Sequence, residues 1–306
     1  MNPQFINGIL KRIGAAGYEK SAARSLRYNG HSEFRSSPNI HIEKRKDGRQ
    51  GIDIHISAET NGETVYIPVI VSESGHEEMV YNDFYVAEGA TVTIVAGCGI
   101  HNDGCDDSRH DGVHTFHIGR NAKVTYTENH YASGQGAGEK IMNPITQIYI
   151  DEGAELCMNT AQLGGVDSSF RKTYAELKDN ANLRVTEKLM TNGKQHVESA
   201  MEVKMQGEGS AARIISRSVA KECSVQIFHP KAIGNTRCKA HIQCDSIIMD
   251  QAQVCSIPEI NACHVDAGIV HEAAIGRINN EQLIKLQTYG LSEQEAEAVI
   301  IESFLK

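Results

Sequence analysis

The sequence predicts an all-β core with terminal helices, the core being a parallel β-helix, and three observations carry that prediction. First, a nine-residue phrase recurs: apolar, two mostly polar residues, Gly or Asn, Ala, one residue, apolar, one residue, apolar. It reads "VAEGATVTI" (86–94), "IGRNAKVTY" (118–126), "IDEGAELCM" (150–158) and "LKDNANLRV" (177–185), with looser copies "VAKECSVQI" (219–227) and "IMDQAQVCS" (248–256). Second, the close of each phrase alternates, as a half-buried strand does. Third, no strong helical periodicity fills the intervals, which disfavours βαβ crossovers. Gly or Asn tolerates the left-handed backbone of a tight corner, and Ala keeps that corner small. Strands and corners repeating every few tens of residues suit stacked coils. A β-sandwich is the alternative architecture. Successive phrases start 32, 32, 27, 42 and 29 residues apart, too irregular for a short hexapeptide repeat.

The elements follow in order. Residues 1–27 read as an N-terminal helical segment, with Phe5, Ile9 and Ile13 on one helical face. Residues 28–270 form the expected β-helix core. Its first part is polar, with alternating "NIHIE" and "GIDIHIS" around an exposed turn, "EKRKDGRQG" (43–51). Residues 271–306 read as a C-terminal helical subdomain. A first helix, "NEQLIKLQTYG", ends at Gly290, which can supply a left-handed cap. A second opens with Ser292 as N-cap and Glu295 three residues on, a capping box, and Leu291 and Ala296 stand where a hydrophobic staple forms. Ala296, Val299, Ile300 and Phe304 share one face. The pair imitates a DNA-binding helix-turn-helix. Five Glu against two Lys in 280–306 would repel phosphates. It is expected to cap the end of the β-helix, to dock a partner, or both.

Bulk properties narrow the function. A net charge of −9, few aromatics and no Trp argue against a nucleic-acid surface. No apolar run is long enough to span a bilayer, and the N-terminus lacks the apolar core of a signal peptide. A cytoplasmic protein is expected. None of the eight cysteines is spaced C-x-x-C, so free thiols are the default.

Two glycine-rich spots fail as nucleotide motifs. In "SGQGAGEKI" (133–141), Glu139 separates Gly138 from Lys140, and Ile141 replaces the magnesium-binding hydroxyl. "GEGSAA" (207–212) lacks a βαβ setting. Neither G-x-S-x-G nor H-E-x-x-H occurs. The densest run of potential metal ligands is Cys98 to His117, "CGIHNDGCDDSRHDGVHTFH". Its spacing matches no standard zinc site, and its Asn-Asp-Gly and Asp-Gly turns suggest a polar loop between coils. Cys98, Cys105, His110 and His114 are its candidate ligands. A second constellation spans 241–272, where Cys244 sits in a strand-like alternation and His271-Glu272 stands at the seam before the helices.

From "QCDSIIM" through "IPEINACHVDAGIVHEAAIGRINNEQLIKLQTYGLSEQEAEAVIIESF" the chain resembles the C-terminal core of the SufB/SufD family, and "IPVIVSESGHEEMVYNDFYVAEGATVTI" is similar to that core further upstream. The resemblance covers roughly residues 60–306 and implies a right-handed parallel β-helix. It implies a scaffold, not an enzyme, for assembling iron–sulfur clusters in the SUF system. The cluster is held transiently, with iron and a sulfur donor. The partners implied are a SufC-like ABC ATPase, docked by the C-terminal helices through Leu283, Leu286, Leu291, Val299, Ile300 and Phe304, and a second β-helix chain. Cys244 matches the family's cluster-associated cysteine, and His271 and Glu272 match its His-Glu. Thiolate, imidazole and carboxylate all ligate iron. Because this chain carries both cysteine and histidine, the expectation is a homodimer with Cys244 of one protomer facing His271 of the other; a paralogous SufB or SufD chain is the other partner. The N-terminal extension and cysteine cluster of typical SufB are missing, and Cys263 has no family match. The rival readings are a metal-dependent hydrolase using the Cys98–His117 run and a non-catalytic SufD-like adaptor, against which Cys244 and Glu272 together weigh.

Overall fold

The computed structural model describes residues 3–306 and is a β-solenoid flanked by three α-helices. Its strands are numbered β1 to β21 in chain order. One sheet, sheet A, holds β1 (Ala23–Tyr28), β2 (His31–Arg35), β5 (Asn61–Val71), β7 (Thr91–His101), β9 (Lys123–Ser133), β12 (Glu155–Leu163), β14 (Asn182–Thr191), β16 (Ala211–Ala220), β18 (Lys239–Ile248) and β21 (Gly268–Gly276). The other, sheet B, holds β3 (Ile40–Lys44), β4 (Gly51–Ile56), β6 (Glu77–Val86), β8 (Ser108–Ile118), β10 (Lys140–Met142), β11 (Ile145–Ile150), β13 (Ser168–Leu177), β15 (His196–Met205), β17 (Val225–Gly234), β19 (Gln253–Ser256) and β20 (Glu259–Ala262). The chain passes from one sheet to the other and back once per coil, and each strand pairs in parallel with its counterpart one coil away. This is the parallel β-helix that the repeat predicts, and it excludes the sandwich.

The recurring phrase is a corner. Gly89, Asn121, Gly153 and Asn180 all have positive φ, between 55° and 74°. Each donates its N–H to a carbonyl of the next coil, Gly89 to Arg120, Asn121 to Glu152, Gly153 to Asp179 and Asn180 to Glu208. The Ala that follows is fully buried in all four copies, where a larger side chain would collide with the core. The two looser copies belong elsewhere. Glu222 and Asp250, also at positive φ, turn the chain from sheet A into sheet B, whereas the four strong copies turn it from B into A. The missing members of the first corner are Gly209-Ser210 and Arg237-Cys238, where Ser210 and Cys238 are buried in the place of Ala. The interval of 42 residues arose from merging two corners.

Inward-facing Ile, Val, Leu, Met and Phe from both sheets form one core along the axis, with Phe84 stacked on Phe116 at 4.5 Å. The first coil is closed by antiparallel strands: β2 pairs with β1, and β3 with β4. The helix α1 (Pro3–Arg12) lies on the outer face of sheet A and buries Ile9, Leu10 and Ile13 against Ile70, Tyr66 and Tyr131. Met1 and Asn2, the start of the expected N-terminal segment, lie outside the described residues.

At the other end, α2 (Asn280–Thr288) and α3 (Glu293–Leu305) form a helical hairpin. Gly290 is left-handed between them, at φ 94°, and Ser292 and Glu295 make the reciprocal capping box. The hairpin does not close the end of the solenoid. α3 lies back against β16, with Arg217 reaching the Phe304 carbonyl and Lys188 that of Lys306. Among the described residues the last coil therefore ends in unpaired strand edges, with Ile260, Val265 and Val270 exposed.

Candidate functional site

Cys244 and His271 meet at this open end. Cys244 lies on β18 and His271 on β21, the last strand of sheet A. Cys244 is in register with Ala273 and His271 with Ile242, so the two are diagonal neighbours pointing into the lumen. Their Sγ and Nε2 atoms are 3.3 Å apart. Burial pushes the Cys244 thiol up to about 11 and pulls the His271 imidazole down. Burial therefore favours the uncharged thiol and the uncharged imidazole, which share a hydrogen bond. The pair belongs to one chain; facing histidine and cysteine do not have to come from two protomers. Glu272 is not part of it. Strand alternation sends Glu272 to the outer face, where its carboxylate lies 3.4 Å from His241 Nε2.

The lumen behind Cys244 is polar, which periodicity alone did not reveal. Down the stacked coils, one inward column of sheet A reads Glu128, Thr160, Glu187, Ser216 and Cys244. Glu187 accepts from Ser199 and Ser216, and Arg171 donates to Glu128 at 2.6 Å. Burial works against the Glu128 carboxylate, but Arg171 and His130 beside it hold it well below the usual range. Between Glu187 and Cys244 is a cavity of about 20 Å³, lined also by Ser218, Gln226 and Ser256. It has room for about one water, and Gln226 Oε1 has no protein partner there. The signal was present in the sequence as polar residues at the inward positions of successive coils. It becomes visible only once the coil register is known.

The Cys98–His117 run is mostly strand, and this corrects the loop expectation. Its ends belong to β7 and β8, and only residues 102–107 are loop. That loop stacks on the glycine-rich segment. Gly136 and Gly138 donate to the carbonyls of Asn102 and Gly104, and a Cβ on any of Gly134, Gly136 or Gly138 would strike that backbone. The glycines of the failed phosphate motif are there for close chain approach. Cys98, His110 and His114 point inward and line one small cavity with Glu128, His130 and Met142. Their imidazoles are engaged: His110 with Glu78 at 2.9 Å, His114 with the Tyr126 hydroxyl at 2.7 Å. Burial lowers His114 to about 4 and raises the Cys98 thiol well above its ordinary value. Cys105 is exposed on the loop, apart from the other three. Among the described residues no three His, Cys, Asp or Glu side chains converge closely enough to hold a metal ion.

Comparison with known proteins bears on what this end of the solenoid is. The family model described as SUF system FeS cluster assembly, SufBD core domain, matches residues 69–304. The chain belongs to the SufBD family. Among curated relatives, iron–sulfur cluster assembly SufBD family proteins of Methanothermobacter thermautotrophicus and Archaeoglobus fulgidus are 26% and 28% identical, over 78% and 80% of this chain. One of Methanocaldococcus jannaschii is 27% identical over 77% of it. The chain spans 57% and 66% of the first two proteins' lengths, and 74% of the third.

In this SufBD-family chain the helical residues expected to dock a partner are divided. Val299 is exposed, while Leu283, Leu286, Leu291, Ile300 and Phe304 are half-buried. Ala296 and Ile301 are the buried residues of α3. Ile284 and Tyr289, which the sequence reading passed over, are more exposed than any of the six. Among the described residues no helix is long and apolar enough to cross a membrane.

Proposed function

We propose that this chain is a scaffold on which iron–sulfur clusters are built, paired with a second β-helix chain and driven by a separate SufC-like ABC ATPase. One observation carries the reading: a thiol and an imidazole, 3.3 Å apart, at the uncapped end of a SufBD core. Sulfur and imidazole nitrogen suit iron, and a partly open, mixed ligand set releases its cargo more readily than four thiolates. Two ligands from one chain are too few for a cluster. The unpaired edges of β19, β20 and β21 beside them offer a surface on which a second copy, or a paralogous SufB or SufD chain, would add the rest. Glu272 and His241, on the outer face of the same strands, would join only if the strand ends rearranged. The cluster and its iron are cargo, and the sulfur comes from a separate donor. The chain itself acts as a scaffold in the cytoplasm, not as an enzyme.

ATP-driven closure of the ATPase would act through the helical hairpin, whose α3 lies on β16, the strand next to β18. Anaerobic reconstitution with ferrous iron and sulfide is expected to give a visible-absorbing cluster in the wild type and little in Cys244→Ala or His271→Ala. Full retention in Cys244→Ala would refute the site. Co-purification with the cognate ATPase should fail when residues 280–306 are removed; undiminished binding would refute the docking assignment.

A further inference from the structure

The outer face of sheet B carries a groove unconnected with Cys244. It has a volume of about 650 Å³, within the size range of ligand sites. One wall is a ladder of rings from successive coils. His55 stacks on Tyr85 at 4.8 Å, Tyr85 on His117 at 5.0 Å, and His117 on Tyr149 at 5.5 Å, with interplanar angles of 13° or less. His41 extends the column by one strand, being in register with His55. The floor is small: Ser57, Ala87 and Gly119 sit at the corner. A Cβ on Gly119 would come within 2.8 Å of Val86 O and Glu88 N, so close coil packing keeps the floor bare. Pro38 and Asn39 close one end, and Asp151, Glu176 and Lys178 the other.

The ladder's chemistry limits what fits. Its rings cover one another's faces, so a nucleobase or sugar has no face to stack on. They present edges instead, as a row of imidazole nitrogens and phenol hydroxyls. From His55 to Tyr149 histidine and tyrosine alternate, so each type recurs every two coils, up to about 9.8 Å apart for the histidines and about 10.5 Å for the tyrosines. A polyproline II helix repeats every three residues, about 9.3 Å, and its carbonyls have no internal donors. An extended β-strand repeats every two residues, about 6.7 Å, and falls out of step. Charge sets the polarity of the occupant. Asp151 and Glu176 line the groove, and Glu43, Asp53 and Asp83 flank the ladder in the neighbouring column. All of these but Glu176 are ion-paired within the chain, to Arg45, Lys46 or Lys178, and the carboxylates still outnumber those three cations.

We propose that this groove binds a proline-rich, basic segment of a partner protein in the polyproline II conformation. Its carbonyls accept from the ladder, its prolyl rings rest on the Ser57–Ala87–Gly119 floor, and its cations face the acidic flank. The groove uses none of the residues assigned to cluster assembly, so the test requires neither iron nor ATPase. The probe is a fluorescein-labelled proline-rich peptide ending in arginines, titrated with the full chain and followed by anisotropy. Saturable binding is expected. Tyr85→Leu with Tyr149→Leu should weaken it about tenfold, the ordinary cost of removing aromatic anchors. His55→Ser with His117→Ser is the second variant, and circular dichroism checks the fold of both. Exchanging the peptide's arginines for glutamates should weaken binding to the same degree or more. The proposal is overturned by no saturable binding at millimolar chain, by equal affinity for the glutamate peptide, or by undiminished binding in both folded variants. A linear hexasaccharide that competes the peptide off at lower concentration than unlabelled peptide would also overturn it.

Discussion

His114 shows how one buried side chain sets acid sensitivity. It lies wholly inside the lumen, bonded to Tyr126 and Asn82 and close to Glu128. Burial outweighs the attraction of Glu128 and lowers its pKa from the usual 6.5 to about 4. A depressed pKa means that the unfolded chain takes up the proton first. The stability from keeping His114 neutral is full above about pH 6.5 and declines as pH falls towards 4. A shift of that size corresponds to about 3 kcal/mol. Urea midpoints measured between pH 7 and 4 should fall for the wild type and fall less for His114→Gln. An equal slope in both would place the acid response elsewhere. Glu78 adds to the loss at lower pH. Burial works against its charge, but hydrogen bonds from His110 and Arg27 hold its pKa at about 2. At this scale sequence adjacency misleads: His271 and Glu272 are consecutive, yet strand alternation puts them on opposite faces.

At the scale of elements, α1 and β7 show a fit that neither predicts alone. The helix was legible from Phe5, Ile9 and Ile13. Its seat was not. Gly97 and Gly99 face the helix, and a Cβ on Gly99 would lie 2.2 Å from Ile9 Cγ2. Gly99→Ala should therefore lift α1 and destabilise the chain by about 1–3 kcal/mol, as overpacking does. Ile9→Ala in the same chain removes the clashing atoms, so the pair should cost less than the sum of the two. Strict additivity by urea denaturation would show that the helix is not seated there. The α3 capping box, by contrast, was fully legible, because it is made within four residues. Ser292→Ala should cost about 1 kcal/mol locally, seen as faster amide exchange in the first turn of α3.

The whole molecule is asymmetric along its axis. Its first coil is closed by antiparallel strands and its last is open. Exposed strand edges with apolar side chains invite pairing. On the proposed reading a second chain covers them. Sedimentation should show a dimer, and Ile260→Lys with Val265→Asp should give monomers with an unchanged circular dichroism spectrum. Such monomers should also fail to build the cluster, since each offers only Cys244 and His271. A wild-type monomer that builds a full cluster would contradict this.

The sequence by itself determined the fold class, the left-handed corners with their buried Ala, the N-terminal helix and the capped C-terminal hairpin. Each depends on residues close together in the chain, so local backbone preference and side-chain periodicity are enough to reveal it. Family resemblance pointed to Cys244 and His271. Only the tertiary structure decided that these two share one lumen while Glu272 does not, that Cys98, His110 and His114 are drawn inside, and that His55, Tyr85, His117 and Tyr149 stack into a ladder. The reason is the coil. Stacking brings residues 27 to 32 positions apart to about 4.8 Å, and a one-residue change in register moves a side chain to the other face. No local pattern carries that register.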